Sequence, residues 1–433
     1  MEVSVKDNMK KNKNKIIILI IIGFLLIGTG IASFIVYNKI ETDKKIALEL
    51  KRQQLKEEII SHYNLYVKTN KDTSLYSLVD SKYIKVGSIS NEQELTLEEV
   101  DITYESEYFK VTTFDGKYYV YYKDVDSIDE LTTYSNRYKR YIVFNKNIVT
   151  DEVTNFYDED NNLLYTFNSS FDLPIIINKK DIYGVEFNNR LLYVKKEDVK
   201  EVKSSDNTKQ SNTSGIAVLN YHFFYDETKA SERADCNQII CHSKSLFSSH
   251  LKYIKDNNIF TPTMDEFEMY MDKEVNLPKS VLITIDDGWR AEDGIKLLEE
   301  YKLNGTVFLI TSWWKEIDFL NIWNYVEYHS HGDNLHNQGV CPGGQGGAIK
   351  CLNKTKLLED LTLSRKKLGG STAFCYPFYE YNSYSISALK ETGFTLAFAG
   401  GFKKANPNTD KFKIPRYVMY YNTSVNQLKS YIG

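Results

Sequence analysis

The longest apolar segment of the chain lies near the N-terminus and predicts a membrane-spanning helix. Ile16 to Tyr37 is a run of 22 residues without a charged side chain, and a helix of this length can cross the apolar core of a bilayer. A cleaved signal peptide has a shorter apolar core and a small-residue cleavage site, for which Ala32-Ser33 is a poor candidate. We therefore predict a tail over 1–15, a transmembrane helix over 16–37 and a charged, weakly amphipathic helical stalk over 38–63.

Short alternating runs of apolar and polar residues dominate residues 64–202 and predict an all-β region. A hairpin pattern with a turn-forming dipeptide occurs twice, at Asp115-Gly116 and at Asn188-Asn189. The pattern resembles tandem SH3-like modules of bacterial wall-associated proteins, and the alternative is one irregular β domain that acts as a spacer. Residues 203–215 are polar throughout and predict a linker.

Residues 216–433 alternate between strand-like and helix-like runs, which predicts an α/β domain with parallel strands and crossover helices. The 218 residues available fit one domain the size of an α/β barrel. The predicted strands are Ile216–Leu219, Val281–Ile285, Thr306–Thr311, Val326–Tyr328, Ala373–Phe374 and Thr395–Ala399. The predicted helices are Ser245–Asn257, Ala291–Tyr301 and Lys354–Leu368.

The charge and the cysteine content indicate which class of partner and which cellular compartment to expect. The net charge of -4 and the absence of a basic stripe argue against a nucleic-acid partner. All five cysteines follow residue 235, and their spacing favours two local disulfides, Cys236–Cys241 and Cys341–Cys351, with Cys375 left over. Five free thiols are the alternative. Lysines are packed more tightly before the apolar segment than after it, so we place the tail in the cytoplasm and the bulk of the chain outside the cell membrane.

Two adjacent carboxylates follow the most strongly predicted strand. Val281–Ile285 is a run typical of a strand buried on both faces, and it ends on Asp286, Asp287 and Gly288. Side chains alternate along a strand, so both carboxylates share one site only if the backbone turns there, which Gly288 permits. The carboxyl ends of parallel strands are where such folds usually place their chemistry. The alternative is an Asp-Asp-Gly turn that only caps the next helix.

Histidines follow two other predicted strands. His222 comes after the first strand, and His329, His331 and His336 come at the end of the fourth. His331 and His336 are five residues apart and diverge on a straight helix, so they converge only from a loop, which Gly332 favours. Two imidazoles and one carboxylate with open positions make a catalytic site for a divalent metal ion, Zn²⁺ or a similar ion such as Co²⁺. The alternative is a solvent-facing loop with incidental histidines.

These motifs resemble those of the polysaccharide deacetylases of the NodB-homology type, also called carbohydrate esterase family 4. The first family motif, Thr-Phe-Asp-Asp-Gly, appears as Thr284-Ile285-Asp286-Asp287-Gly288, and the second appears as Ser330-His331-Gly332 with His336. The resemblance implies a distorted (β/α) barrel, Asp286 as the general base, and Asp287, His331 and His336 as the metal ligands. The third motif resembles Tyr376-Pro377-Phe378, where the backbone N–H after the proline would help to hold the oxyanion.

The chain departs from the common family pattern at two positions. Many members carry an Arg two residues before the proline of the third motif, where this chain has Cys375. Many also carry a Leu-x-His motif near the C-terminus that supplies the general acid, and here no histidine follows His336. In the exported poly-N-acetylglucosamine deacetylase branch that histidine comes from the first strand, and Tyr221-His222 resembles it. His222 is therefore the expected general acid, with His329 as its competitor.

The other histidines of this domain, His242 and His250, fall in a segment that leads into a helix, and we expect them at the surface. Six aromatic residues are candidates for stacking on sugar rings, although simple packing is an equal alternative. They are Trp289, Trp313, Trp314, Tyr376, Phe378 and Tyr379.

The resemblance implies metal-dependent hydrolysis of N-acetyl groups on an extracellular amino-sugar polymer, either peptidoglycan or poly-N-acetylglucosamine. Two other functions stay open from the residues alone. One is a non-catalytic wall-binding protein whose barrel has decayed, and the other is a metal-free glycoside hydrolase that uses paired carboxylates such as Asp286 and Glu327. The sequence does not indicate an oligomeric state.

Overall fold

The computed structural model describes residues 2–100, 107–114, 117–205, 214–314 and 323–433. Residues 206–213 of the predicted linker and the Asp115-Gly116 turn of the first hairpin lie outside the described residues. The domain boundaries drawn from the sequence, including the linker over 203–215, therefore stay predictions.

A single long helix, α1 (Glu2–His62), forms the N-terminal region and runs without a break from the apolar segment into the predicted stalk. Apolar side chains such as Leu19, Phe24 and Phe34 are more than 60% exposed, so no protein core accounts for their apolar character. Within the described residues, α1 is the one helix long and apolar enough to cross a membrane, a test that a signal sequence also passes.

The alternating pattern correctly predicted strands between residues 64 and 204. The hairpin expected at Asn188-Asn189 is present, and both residues adopt the positive φ (52° and 58°) that a tight two-residue turn requires. The assignment of SH3-like modules stays a prediction. The strands are β1 (Tyr66–Thr69), β2 (Thr73–Val79), β3 (Lys82–Ile89), β4 (Glu94–Thr96), β5 (Tyr108–Val111), β6 (Tyr118–Tyr121), β7 (Val125–Ser127), β8 (Lys146–Thr150), β9 (Thr154–Tyr157), β10 (Leu163–Phe167), β11 (Asp172–Pro174), β12 (Ile177–Asn178), β13 (Ile182–Phe187), β14 (Arg190–Lys195) and β15 (Val199–Ser204).

The chain forms two compact units. The first comprises Met1–Thr133 with Leu164–Phe167, and the second comprises Tyr134–Leu163 with Asn168–Gly433. In the first unit, β4-β1-β7 form one antiparallel sheet and β10-β3-β2-β6-β5 follow one another in a second.

A seven-stranded parallel sheet with the order β23-β22-β21-β20-β19-β16-β24 is the centre of the second unit. The six strands predicted for this domain are all present, and β24 was missed because it is only two residues long. The strands are β16 (Ala217–Tyr221), β17 (Phe223–Tyr225), β18 (Cys241–Ser243), β19 (Val281–Asp287), β20 (Gly305–Leu309), β21 (Val326–Ser330), β22 (Ala373–Cys375), β23 (Leu396–Phe398) and β24 (Tyr417–Val418). The helices are α2 (Ala230–Asp235), α3 (Lys244–Asp256), α4 (Met264–Met271), α5 (Glu292–Tyr301), α6 (Lys354–Lys367), α7 (Ser383–Glu391) and α8 (Val425–Ile432).

Every residue of β19 is buried, and so is every residue of its neighbours β16 and β20. Both faces of the sheet are therefore covered, as expected for the parallel strands of a (β/α) barrel. Both disulfides expected from the cysteine spacing are formed, and Cys375 is free and buried.

Within the second unit, the β-rich part and the parallel sheet share one hydrophobic core. Tyr141 and Ile177 from the β-rich part belong to the same buried cluster as Phe260 and Leu282. Tyr141 Oη donates to Glu266 Oε1 at 2.7 Å, and Arg137 Nε forms an ion pair with the same oxygen at 2.6 Å. A fragment that begins at residue 216 would expose this core, so experiments on the site require the whole chain.

Candidate metal centre and active site

The two adjacent carboxylates reach one site because the backbone turns at the end of β19. Asp287 has a φ of 68° and Gly288 a φ of 85°, and Gly288 N–H donates to Asp286 O at 2.8 Å. A Cβ atom at Gly288 would lie 2.4 Å from Leu309 Cδ2, so the turn requires glycine there. The turn does not cap α5, whose N-cap residue is Ala291 and has no side-chain cap. This finding removes the helix-cap alternative.

Asp287, His331 and His336 converge at the carboxyl edge of the sheet. His331 and His336 lie in the loop after β21, which turns at Gly332 (φ 85°). Asp287 Oδ1 is 3.2 Å from His331 Nε2 and 3.4 Å from His336 Nε2. One ligand atom from each of the three side chains lies within 4.8 Å of the other two. The loop therefore brings together the two histidines that a straight helix would separate.

The donor atoms of this triad fit a divalent metal ion. Asp287 Oδ1 is buried and has no hydrogen-bond partner among the described residues, although buried polar atoms normally have one. His331 Nδ1 lies 2.8 Å from Cys375 O; because a carbonyl only accepts, Nδ1 carries a proton and Nε2 faces Asp287. Burial lowers the pKa of His331, but Cys375 and Asp287 raise that pKa more, so the net shift is upward. Positive charge is thus favoured where a cation would bind.

Asp286, His331 and Cys375 form a second group with suitable ligand atoms within 4.8 Å. Both oxygens of Asp286 are already bound by Arg416, and His331 Nδ1 is engaged by Cys375 O. A cation at this second group would have to displace a guanidinium group. Asp287, His331 and His336 are therefore the better candidate ligands.

Arg416 supplies the positive charge that the sequence lacks at Cys375. It enters from the segment before β24, is fully buried, and donates to Asp286 Oδ1 at 2.7 Å and Oδ2 at 2.9 Å. Arg416 Nη2 also lies 2.9 Å from Cys375 Sγ, so the thiol occupies space beside the ion pair. Burial alone would raise the pKa of Asp286, but Arg416, His331 and His222 lower that pKa well below its usual range. Sequence reasoning missed this arginine.

His222 lies beside Asp286, whereas the polar contacts of the alternative acid, His329, are to Ser371 and Glu327. His222 Nε2 is 3.9 Å from Asp286 Oδ2, and His222 Nδ1 is buried without a hydrogen-bond partner among the described residues. His329 instead places Nδ1 3.0 Å from Ser371 Oγ and Nε2 3.9 Å from Glu327 Oε2. Burial lowers the pKa of His222 and outweighs the opposing effect of Asp286, so the imidazole is neutral at neutral pH.

The third motif places Phe378 beside the triad and directs Tyr376 away from it. The Phe378 ring lies 4.4 Å from the His336 ring, between centroids. Tyr376 is only 1% exposed and donates to Phe412 O at 3.0 Å, so the expectation that its ring stacks on a sugar is wrong. Trp289 and Trp313 are 41% and 51% exposed and are free to contact a substrate.

His242 and His250 were expected at the surface, and both are fully buried. His250 Nδ1 lies 2.9 Å from Tyr221 Oη, and its Nε2 lies 2.9 Å from Thr423 O. A sequence signal is available for His250, because it shares a helical face with the apolar residues Phe247, Leu251 and Ile254.

A family model identifies the domain that carries this site. Residues 273–397 match the model described as polysaccharide deacetylase. The chain therefore contains a polysaccharide deacetylase domain. The match covers the carboxylate turn, the histidine loop and the third motif of this deacetylase domain, whereas His222 and Arg416 lie outside the matched residues.

Curated relatives align with about half of the chain. A poly-beta-1,6-N-acetyl-D-glucosamine N-deacetylase of Staphylococcus aureus (strain MSSA476) is 26% identical in an alignment of 236 residues, and the alignment covers 49% of this chain and 78% of the relative. A protein of the same name from Staphylococcus epidermidis (strain ATCC 35984) is 24% identical in an alignment of 216 residues, and the alignment covers 43% of this chain and 71% of the relative.

Solved structures of deacetylases also align with the chain. IcaB from Ammonifex degensii superposes with a TM-score of 0.43 at 20% identity, over 51% of this chain and 97% of that one. A de-N-acetylase from Aggregatibacter actinomycetemcomitans superposes with a TM-score of 0.42 at 22% identity, over 50% of this chain and 99% of that one.

Proposed function

We propose that this protein is a metal-dependent N-deacetylase of an extracellular amino-sugar polymer of the poly-N-acetylglucosamine type. The observation that carries the proposal is the buried arrangement of Asp287, His331 and His336 beside the Asp286–Arg416 ion pair, within a polysaccharide deacetylase domain. When bound, a divalent ion supplies Lewis-acid activation of the attacking water. Zn²⁺ suits a site of two imidazoles and one carboxylate, and Co²⁺ or another transition metal is an alternative.

In this proposal Asp286 acts as the general base. Arg416 keeps its carboxylate ionised and oriented, so that it can accept the proton of the attacking water. The backbone N–H of Phe378, after Pro377, would stabilise the oxyanion of the tetrahedral intermediate. Bond cleavage then expels an amine, which needs a proton.

In this proposal His222 delivers that proton. Its imidazole is neutral in the resting site, and its Nε2 lies 3.9 Å from the Asp286 carboxylate that takes the proton of water. The proton removed from water can therefore reach the leaving nitrogen through His222. This order of transfers agrees with a base held ionised by Arg416 and an acid that is charged only during the reaction.

The two rival functions fit the site less well. Glu327, the partner carboxylate required by the metal-free glycosidase, accepts from Met264 N at 2.6 Å and from Thr306 Oγ1 at 3.1 Å, and Asp286 is held by Arg416. A decayed barrel would not be expected to retain the triad, the base and its arginine together.

Two features, α1 and the cysteines, support a proposal for the location of the enzyme. We propose that residues 16–37 anchor the chain in the cell membrane as a single span, with residues 38–433 outside. The exposed apolar side chains of α1 and the two disulfides, which persist in oxidising compartments, support this topology. A membrane-tethered deacetylase would meet its polymer at the cell surface.

The test of this function is product release by the purified full-length chain in detergent. Oligomers of β-1,6-linked N-acetylglucosamine and peptidoglycan fragments would be incubated separately, and acetate, free amine and new reducing ends measured. The proposal predicts equal amounts of acetate and amine from the N-acetylglucosamine oligomers, no new reducing ends, and no turnover by Asp286→Asn. New reducing ends without acetate would indicate a glycosidase, and no product from either substrate would contradict catalysis.

A further inference from the structure

A glycine-rich loop closed by the Cys341–Cys351 disulfide lies next to the third motif. We call Cys341–Cys351 the disulfide loop. It follows His336 by only five residues, and its last turn is anchored by Ile349, which is fully buried in the cluster that also contains Leu335 and Tyr376. The loop is therefore attached to the segment that carries one of the candidate metal ligands.

Glu380 binds the middle of the disulfide loop through both carboxylate oxygens. Glu380 Oε1 accepts from Gln345 N at 2.6 Å, and Oε2 accepts from Gly347 N at 2.7 Å. Lys350 Nζ lies 2.9 Å from Glu380 Oε2 and donates to Gly343 O at 2.7 Å, so it binds both the carboxylate and the loop. Hydrogen bonds to a charged acceptor are among the stronger ones in proteins.

The loop sequence is adapted to this carboxylate. A Cβ atom at Gly344 would lie 1.8 Å from Glu380 Oε1, and one at Gly347 would lie 3.1 Å from Glu380 Oε2. Gly344 also has a φ of 63°, in the left-handed region that favours glycine. The glycines therefore let the backbone wrap closely around Glu380, which a loop acting only as a solvent-exposed connection would not need.

The same contact reaches the metal triad through Phe378. Glu380 follows Phe378 and Tyr379, whose φ values of 58° and 60° are unfavourable for residues with a Cβ atom and must be held by their surroundings. The Phe378 ring packs between Gly347, whose Cβ would be 3.4 Å from Phe378 Cδ2, and the His336 ring at 4.4 Å. Glu380, the loop, Phe378 and His336 thus form one continuous set of contacts.

We propose that Glu380 is a positioning residue: by binding the disulfide loop it holds the Phe378 ring against His336 and so fixes His336 as a ligand of the metal ion. The inference rests on the proposed function for the identity of the site, but it concerns how this chain holds that site. Glu380 itself touches neither the triad nor, in this arrangement, the reacting atoms.

The test compares four variants of the full-length chain loaded with Zn²⁺. Glu380→Gln removes the charge and one of the two acceptors, Lys350→Met removes only the cation, and Phe378→Leu shortens the link to His336. Glu391→Gln is the matched control, because Glu391 forms an exposed ion pair with Lys354 at 2.9 Å that includes no residue of 341–351. Zinc loss to an excess of chelator is followed by stopped flow, and amide exchange of 341–351 is followed by mass spectrometry in the demetallated chain.

We expect Glu380→Gln to release zinc about tenfold faster and to increase exchange in 341–351, with Lys350→Met intermediate. Phe378→Leu should release zinc faster without increasing exchange in the loop, and Glu391→Gln should match the wild type in both. Two results would overturn the proposal. In the first, Glu380→Gln increases amide exchange in 341–351 but releases zinc at the wild-type rate. In the second, Glu380→Gln leaves amide exchange in 341–351 unchanged. If Glu380→Gln does not fold, Lys350→Met and Phe378→Leu decide the question. A wild-type chain that binds zinc but releases no acetate would refute the proposed function. The zinc-release and exchange measurements on the variants would still test the role of Glu380.

Discussion

Arg416 donates to both carboxylate oxygens of Asp286, at 2.7 Å and 2.9 Å, and both side chains are buried. The two residues are 130 positions apart in the chain and meet because β24 adds to the sheet beside β16, the neighbour of β19. Two parallel N–H···O bonds fix the plane of the carboxylate as well as its charge. The candidate base is therefore both ionised and oriented before substrate binds.

Replacing Arg416 by Met should weaken the base and the fold together. Without the guanidinium group, the pKa of Asp286 rises, so more base is protonated at low pH and the acid limb of the kcat/KM profile moves to higher pH. Breaking one partner of a buried pair should also lower the free energy of unfolding by about 3–5 kcal/mol. Arg416→Lys should give smaller effects in the same direction, because an ammonium group cannot bind both oxygens at once. A pH profile of Arg416→Lys that coincides with the wild type would contradict this role.

The sequence predicts that Asp286 belongs to the site, but it does not predict that Arg416 does. Thr284-Ile285-Asp286-Asp287-Gly288 combines a buried-strand pattern with a turn, so its position at a strand end follows from local chemistry. Arg416 lies between Pro415 and the two-residue strand β24, and its contact with Asp286 depends on the order of strands in the sheet. No local pattern specifies that order.

His222→Ala should lose turnover while keeping the metal. Loss of one general acid typically reduces kcat by about 10²–10⁴-fold, and His222 is not among the candidate metal ligands. The measurement is kcat on an N-acetylglucosamine oligomer, with zinc content and melting temperature as controls. His329→Gln should keep most of its turnover, because His329 lies beside Ser371 and Glu327. The reverse result, with His329→Gln inactive and His222→Ala active, would move the acid to His329.

His250 should make the deacetylase domain less stable in mild acid. Burial lowers the pKa of His250 from 6.5 to about 4, so the unfolded chain binds a proton that the folded one does not between these values. The contribution of His250 to the free energy of unfolding is complete above pH 6.5 and is lost as the pH falls towards 4. Between pH 7.5 and 5 the free energy of unfolding should therefore fall by about 2 kcal/mol.

Urea unfolding followed by tryptophan fluorescence measures this effect in the right domain, because all four tryptophans lie between residues 289 and 323. Between pH 7.5 and 5, the free energy of unfolding of His250→Gln should fall by about 2 kcal/mol less than that of the wild type. His62→Gln, at an exposed position of α1, is the control and should behave like the wild type. Equal pH dependence in the wild type and His250→Gln would exclude this origin.

The membrane topology predicts how the chain is cut in intact cells. Protease added from outside should remove the deacetylase domain and leave a fragment that contains residues 16–37. Mass mapping of the released part without reduction should find Cys236 linked to Cys241 and Cys341 linked to Cys351, with Cys375 as the free thiol. Protection of the domain in cells whose surface is shown to be accessible would argue for the opposite orientation.

Some misplaced side chains show where the chemistry of a residue by itself is misleading. His242, His250 and Tyr376 are polar or amphipathic residues, and their chemistry alone suggested solvent or substrate contacts. Their burial depends on partners far away in the chain, such as Thr423 for His250 and Phe412 for Tyr376. The triad could be predicted because its ligands lie directly at strand ends, whereas the packing around it could not.

The central claim is that a metal ion held by Asp287, His331 and His336 is required for N-deacetylation by the Asp286 base. The most direct measurement is acetate release from a β-1,6-linked N-acetylglucosamine oligomer by the full-length chain, after removal of metal and again after titration with Zn²⁺. The variants His331→Ala and Asp286→Asn are measured in the same way, and their zinc content is determined. We expect the demetallated chain to be inactive and to recover with one equivalent of zinc, His331→Ala to lose both zinc and activity, and Asp286→Asn to keep zinc but not turnover. Full acetate release by a chain shown to be free of metal would contradict the account.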